Sequence, residues 1–204
     1  MSLFQHNECN TASFQPSIRL CYNHPLLRNH SESAGFMNPH PLRYLSAYSS
    51  DVQHQANQLL NSNQLGSLLK QRHPQAHQLS SGLLYDYAQD LKNRYMRSSP
   101  PISKVIYDDK IHVVEHALGL HTFVSRVQGG KLKAKNEIRI STLFRNTPEA
   151  FLRMIIVHEL SHLKEKAHNK AFYKLCQHME PDYFQLELDV RLYLCHRDLY
   201  GDLW

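Results

Sequence analysis

The sequence predicts an α+β fold on three observations. Runs of helical spacing occupy its first and last thirds, two alternating apolar–polar segments meet at Gly129-Gly130, and an apolar, capped segment carries His158 and His162. Apolar residues three and four apart mark the helices, and a period of two marks the strands. The expected architecture is N-terminal helices, a β-hairpin or small sheet, and a helix bearing the His-Glu-x-x-His string. At 204 residues the chain suits one ordinary domain with a real core and is short for two.

Residues 1–50 are rich in Asn, Ser, His and Pro without a sustained period, and read as a loop-rich extension in which Met37 is a candidate alternative start. Residues 51–204 read as the folded domain. Within it, Val52, Ala56, Leu59 and Leu60, then Leu65, Leu68 and Leu69, then Leu84, Tyr87, Ala88, Leu91 and Tyr95 predict three amphipathic helices. Pro100 and Pro101 are expected to stop the third, and Lys104 to Tyr107 to form a short strand.

Thr122 to Val127 and Lys131 to Ser141 flank Gln128, Gly129 and Gly130, and the glycines' tolerance of positive φ predicts a hairpin. Leu132, Ala134, Ile138 and Ile140 alternate with Lys131, Lys133, Lys135, Glu137 and Arg139, so one face packs and the other is largely cationic. Thr147 is placed as N-cap with Pro148 at the first helical position, and Phe151 to Leu163 continue the helix. Asn169 caps a further helix from Lys170 to about Met179, and Pro181 opens another running towards Tyr200.

Charge and composition narrow the function classes. A formal net charge of +5 fits an anionic substrate or weak nucleic-acid contact without demonstrating either. Cys9, Cys21, Cys176 and Cys195 show no CxxC pairing, so reduced thiols in a cytoplasmic setting are expected. Polar residues through Met1 to Asn10 argue against a signal peptide, and no segment approaches the roughly 18 apolar residues of a membrane span.

The chemistry lies in His158-Glu159-Leu160-Ser161-His162. Histidines four apart leave one helix face a turn apart and can share a metal. Zinc suits two neutral imidazoles plus a third protein ligand, with an open position where the pKa of water falls towards about 7. Glu159, on the neighbouring angle of the helix, is expected as general base rather than ligand. His168 supplies the third ligand if the helix ends near Lys164 to Ala167 and the chain folds back. The spacing is that of HExxHxxGxxH with Glu165 at the glycine position, so the turn must form without glycine's freedom. With 15 histidines, chance strings are common. Requiring His168 at its offset, within a capped apolar segment, favours a one-zinc site over a solvated helix face.

Other candidates rank lower. His112, Glu115 and His116 match an inverted HxxEH string, but Ile111, Val113 and Val114 favour a strand, which sets the histidines roughly 13 Å apart. His73 and His77 straddle Pro74 and read as a surface pair. Tyr173 is a candidate oxyanion donor or, more often for such a residue, core. Glu180, Glu187 and Asp189 are alternative third ligands or orienting groups. Lys131, Lys133, Lys135 and Arg126 either grip phosphate or form a lysine-protected edge.

The string HELSHLKEKAHNKAFY, preceded by TFVSRVQGGKLKAKNEIRIS, resembles the YgjP-like metallopeptidase domain from about Leu83 to Leu194, and WLM and SprT-like domains share its ligand pattern. The resemblance implies a small zincin-like α+β catalytic domain with zinc on His158, His162 and His168 and Glu159 as catalytic acid/base. It also implies two substrate classes, since some members labelled peptidases by motif are labelled nucleoside triphosphate pyrophosphatases with UTP as substrate. The leading expectation is a peptidase-like zinc hydrolase that seats an extended peptide beside the hairpin. UTP pyrophosphatase activity is the alternative, and a zinc-stabilised module binding nucleic acid or protein ranks third.

Overall fold

Apolar residues at helical spacing build the first three helices: α1 (Ser50–Asn61) buries Val52, Ala56, Leu59 and Leu60, α2 (Leu65–Arg72) buries Leu65 and Leu69, and α3 (Ser81–Tyr95) buries Leu84, Ala88 and Leu91. The computed structural model describes residues 41–111, 119–128 and 131–204, and of 119–128 and 131–134 the backbone alone. The greater part of the loop-rich segment, Met37 included, the HxxEH string of His112, Glu115 and His116, and Gly129-Gly130 therefore lie outside the described residues. Ahead of α1, a 3-10 helix at Arg43–Leu45 packs against the last helix, with Leu42, Tyr44 and Leu45 buried.

Helix α3 stops at Tyr95, well before Pro100. The Met96 N–H donates to the Lys92 carbonyl at 2.7 Å, and the Ser99 hydroxyl donates to the Met96 carbonyl at 2.7 Å, so a buried turn at Met96 ends the helix before proline is reached.

Three strands follow: β1 (Ile102–Asp108), β2 (Gly119–Gln128) and β3 (Lys131–Ser141), in sheet order β1-β3-β2. β2 and β3 pair antiparallel as expected, but Gln128, read as part of the connection, lies in the strand opposite Lys131. β1 pairs parallel to β3 with an irregularity between Ile102 and Lys104. There the Ser103 hydroxyl donates to the Asn136 carbonyl and the Asn136 amide to the Pro101 carbonyl, closing the end of the sheet. Along β3, Asn136, Ile138 and Ile140 are buried while Lys135, Glu137 and Arg139 are half-exposed, so the alternation read from sequence is the pleat.

A 3-10 helix (Thr142–Asn146) leads into α4 (Glu149–Ser161), whose cap differs from expectation. Pro148 occupies the N-cap and Thr147 precedes it, because the Thr147 hydroxyl donates back to the Phe144 carbonyl at 3.1 Å and is spent closing the 3-10 turn. Helix α4 buries Phe151, Leu152, Met154 to Val157 and Leu160, an apolar surface all round. It packs on α3, on β2 and β3, and on the two helices that follow, α5 (Lys170–Met179) and α6 (Tyr183–Tyr200). Asn169 caps α5 as expected, its side chain accepting from Phe172 N–H at 2.9 Å. Gly201, at φ 85°, ends α6 where a side chain would be strained. The architecture is the predicted α+β one, with α4 at its centre. Among the described residues no helix is long and apolar enough to cross a membrane.

Candidate metal centre

Two histidines reach the site from the end of α4 and the third from the turn that follows. His158 lies in the last turn, and α4 ends at Ser161, earlier than expected, so that His162 is its C-cap. The chain then tightens: Leu163 N–H donates to Leu160 O, and Lys164 and Glu165 N–H both donate to Ser161 O at 3.0–3.1 Å. Glu165, at the glycine position of the long motif, needs no left-handed backbone, since Asn63 is the one non-glycine residue of positive φ among those described. Instead its carbonyl accepts from His162 Nδ1 at 3.0 Å. Asn169 then caps α5 and brings His168 back over the end of α4.

The result is convergence. His168 Nε2 lies 3.1 Å from Nε2 of His158 and 3.1 Å from Nε2 of His162. Nitrogens bound tetrahedrally to one zinc at about 2.0–2.1 Å stand about 3.3 Å apart, so the spacing is that of a ligand set. Both α4 imidazoles have their other nitrogen engaged: His158 Nδ1 with the Tyr183 hydroxyl at 2.6 Å, and His162 Nδ1 with the Glu165 carbonyl. Such outer partners fix tautomer and ring orientation. Beneath all three rings lies Phe172, fully buried, with centroids 4.9, 4.7 and 4.7 Å from His158, His162 and His168.

Electrostatics favours neutral ligands. Burial, then the neighbouring histidines, pushes His158 well below its usual value, and burial also lowers His162 and His168. Imidazole must be neutral to bind metal. A cation here also meets the negative end of the α4 dipole. Glu159 is buried, and burial raises its carboxyl to about 8. Among the described residues His158, His162 and His168 form the one cluster of His, Cys, Asp or Glu able to hold a metal, and a divalent ion fits its donors.

The structure separates the other candidates. Glu180 pairs with Arg153, Glu187 with Arg191, and Asp189 with Arg72 and His73, so each alternative carboxylate is committed to a cation outside the triad. His73 is not a surface residue: it ends α2 against α6, its Nε2 2.9 Å from Asp189 and its ring edge-on to Phe151. The reason is tertiary, since α2 packs on α6, a pairing no local spacing announces. Tyr173 is half-buried with its ring 6.3 Å from His168, and burial raises its phenol to about 12. Lys135 stands on the half-exposed face of β3, away from the triad, and in the strand register Arg126 is opposite Lys133. Sequence reasoning missed Phe172 as floor and Tyr183 as partner of His158. Phe172 is an aromatic four residues past His168 with no other local mark, and Tyr183 carries no signal of its own. It also passed over Lys164, Lys166 and Lys170, exposed on either side of His168, which the spacing KxK…K makes visible.

The model of the YgjP-like metallopeptidase domain matches residues 107–191, a span that contains the triad and Glu159. A relative from Escherichia coli (strain K12), described as UTP pyrophosphatase, is 59% identical over 159 residues, covering 78% of this chain and 95% of the relative. No solved structure matches. With so much of its length shared at that identity, the chain belongs to the YgjP-like family and is a metallohydrolase.

Proposed function

We propose that the chain hydrolyses a nucleoside triphosphate, UTP foremost, to the monophosphate and diphosphate, with one zinc ion on His158, His162 and His168 and Glu159 as general base. The observation that carries the substrate is the relative named UTP pyrophosphatase, 59% identical over nearly its whole length. Three imidazoles with no thiolate among them suit zinc and leave a fourth position open. Zinc bound there supplies a Lewis acid that makes water acidic and offsets phosphate charge.

The chain's own groups do the rest. Glu159 takes a proton from the attacking water, whose oxygen bonds to the α-phosphorus as the bond from that phosphorus to the bridging oxygen breaks and diphosphate leaves. A carboxyl that burial holds near neutral pH, with a divalent charge to draw it down, is matched to that proton transfer. Tyr173 keeps its proton up to about 12 and can donate to a phosphate oxygen. Lys164, Lys166 and Lys170, exposed within a few residues of His168 in the chain, supply positive charge for the triphosphate. Lys131, Lys133 and Lys135, with Arg126, are the alternative cationic group, on the hairpin strands.

One observation favours peptide hydrolysis as the second reading. β2 is an edge strand beside α4, where an extended peptide can add to the sheet. Zinc-loaded protein incubated with UTP and, separately, with an unfolded polypeptide tests both. Diphosphate release that Glu159→Gln abolishes supports the pyrophosphatase. Polypeptide cleavage with no diphosphate release overturns it in favour of the peptidase. Neutralising Lys166 and Lys170 together should raise KM for UTP by about tenfold, and neutralising Lys131, Lys133 and Lys135 tells whether the hairpin contributes instead.

A further inference from the structure

Around His158 the buried polar groups of three helices connect in one line. His158 Nδ1 lies 2.6 Å from the Tyr183 hydroxyl of α6, with the two rings nearly parallel at 16°. Tyr183 is hydrogen-bonded in turn to Cys176 of α5. The Cys176 sulfur is 3.2 Å from the Ser161 hydroxyl of α4, which donates to the Val157 carbonyl at 2.9 Å. Tyr183, Cys176 and Ser161 are all fully buried, so water does not complete their hydrogen bonds.

The last link sets the direction of the others. A carbonyl oxygen only accepts, so the single Ser161 proton points at Val157. Ser161 Oγ must then accept from the Cys176 S–H, which leaves the sulfur to accept from the Tyr183 O–H. Tyr183, its proton spent on sulfur, faces His158 with lone pairs alone. With all four contacts made as hydrogen bonds, the opposite order would require two protons on the Ser161 oxygen.

We propose that Tyr183 is a positioning residue: through the ordered line His158 Nδ1–H to Tyr183 to Cys176 to Ser161 to the Val157 carbonyl, it holds His158 with its proton on Nδ1 and its Nε2 lone pair facing His162 and His168. The metal ligand is thereby set before any ion arrives, by helices that carry none of the three ligands. Tautomer selection is worth having here, because an Nε2–H on His158 would point a proton at the very position a cation needs. His162 Nδ1 meets a backbone carbonyl, whereas His158 Nδ1 meets a side chain of another helix. This inference rests on the reading of the triad as a metal site, and its test separates the two.

Long-range proton–nitrogen NMR of the metal-free protein above pH 8 reads the His158 tautomer directly, and chelator competition reads zinc affinity. Wild type should show a protonated Nδ1 and a bare Nε2. Tyr183→Phe should give a mixture of tautomers and a zinc affinity lower by about 10–100-fold, with circular dichroism unchanged. A His158 that stays wholly Nδ1–H in Tyr183→Phe, with affinity within about twofold of wild type, overturns the proposal. Should Tyr183→Phe not fold, Ser161→Ala decides, since it removes only the oxygen that orders the line. A tautomer mixture supports the proposal and a pure Nδ1–H form defeats it. A tautomer change on substitution in a protein whose wild type binds no zinc would support the line while defeating the metal reading.

Discussion

The triad and the cluster around Asp189 both set a helix-end histidine against α6, yet their hydrogen-bond accounts are opposite. Asp189 is buried and accepts from Arg72 at 2.6 Å, His73 at 2.9 Å and Gln185 at 3.0 Å, so every acceptor meets a donor. The triad brings three Nε2 atoms together, and with Nδ1 of His158 and His162 engaged at Tyr183 and Glu165, at most one of the two close contacts can hold a proton. The first cluster is complete without a ligand and ties α2 to α6. The second gathers acceptors on one point, where a cation fits. A buried polar cluster therefore reads as structural or functional according to whether its own donors and acceptors balance.

Substitutions should pull the two clusters apart. The largest effect belongs to Glu159→Gln, which should cut turnover by about a thousandfold while zinc content, measured by atomic emission, stays at wild-type level. Retained turnover would show that proton transfer does not pass through this carboxylate. Next, His168→Ala should lower zinc affinity by more than the roughly 10–100-fold typical of an outer partner, and chelator competition measures it. Equal affinity in wild type and variant would remove His168 from the ligand set.

Asp189→Asn should act on the other cluster alone. Breaking a buried ion pair costs roughly 3–5 kcal/mol, and because the Arg72 side chain is 21% exposed and can rehydrate, about 2–3 kcal/mol is expected in urea unfolding of the zinc-free protein, with zinc stoichiometry intact. Loss of zinc binding in Asp189→Asn would mean that the two clusters are one unit. The smallest effect is at the caps. Asn169→Ala should cost about 1 kcal/mol and weaken zinc a few-fold, because the same side chain holds the Phe172 N–H over which the imidazoles sit. Ser49→Ala, at the distant cap of α1, should leave zinc affinity untouched.

Legibility followed the range of the interaction. The hairpin, the start of α5 at Asn169 and the alternation that buries Ile138 and Ile140 follow from local pattern, and each was readable. The N-cap of α4 was misplaced by one residue because Thr147 serves the 3-10 turn before it, a competition between two local motifs that spacing does not rank. His73 was read as a surface residue because its partner, Asp189, lies on a helix far along the chain.

By itself the sequence determined that His158 and His162 share a helix face, that His168 follows at ligand distance along the chain, and that Glu159 sits beside them, since a residue's angle around a helix depends only on its number. The tertiary structure decided the rest: that Phe172 lies under all three rings, that Tyr183 of α6 meets His158, and that Glu180, Glu187 and Asp189 are committed to arginines. Those choices depend on which helices pack on α4, and packing is a property of the whole buried surface rather than of any segment in it.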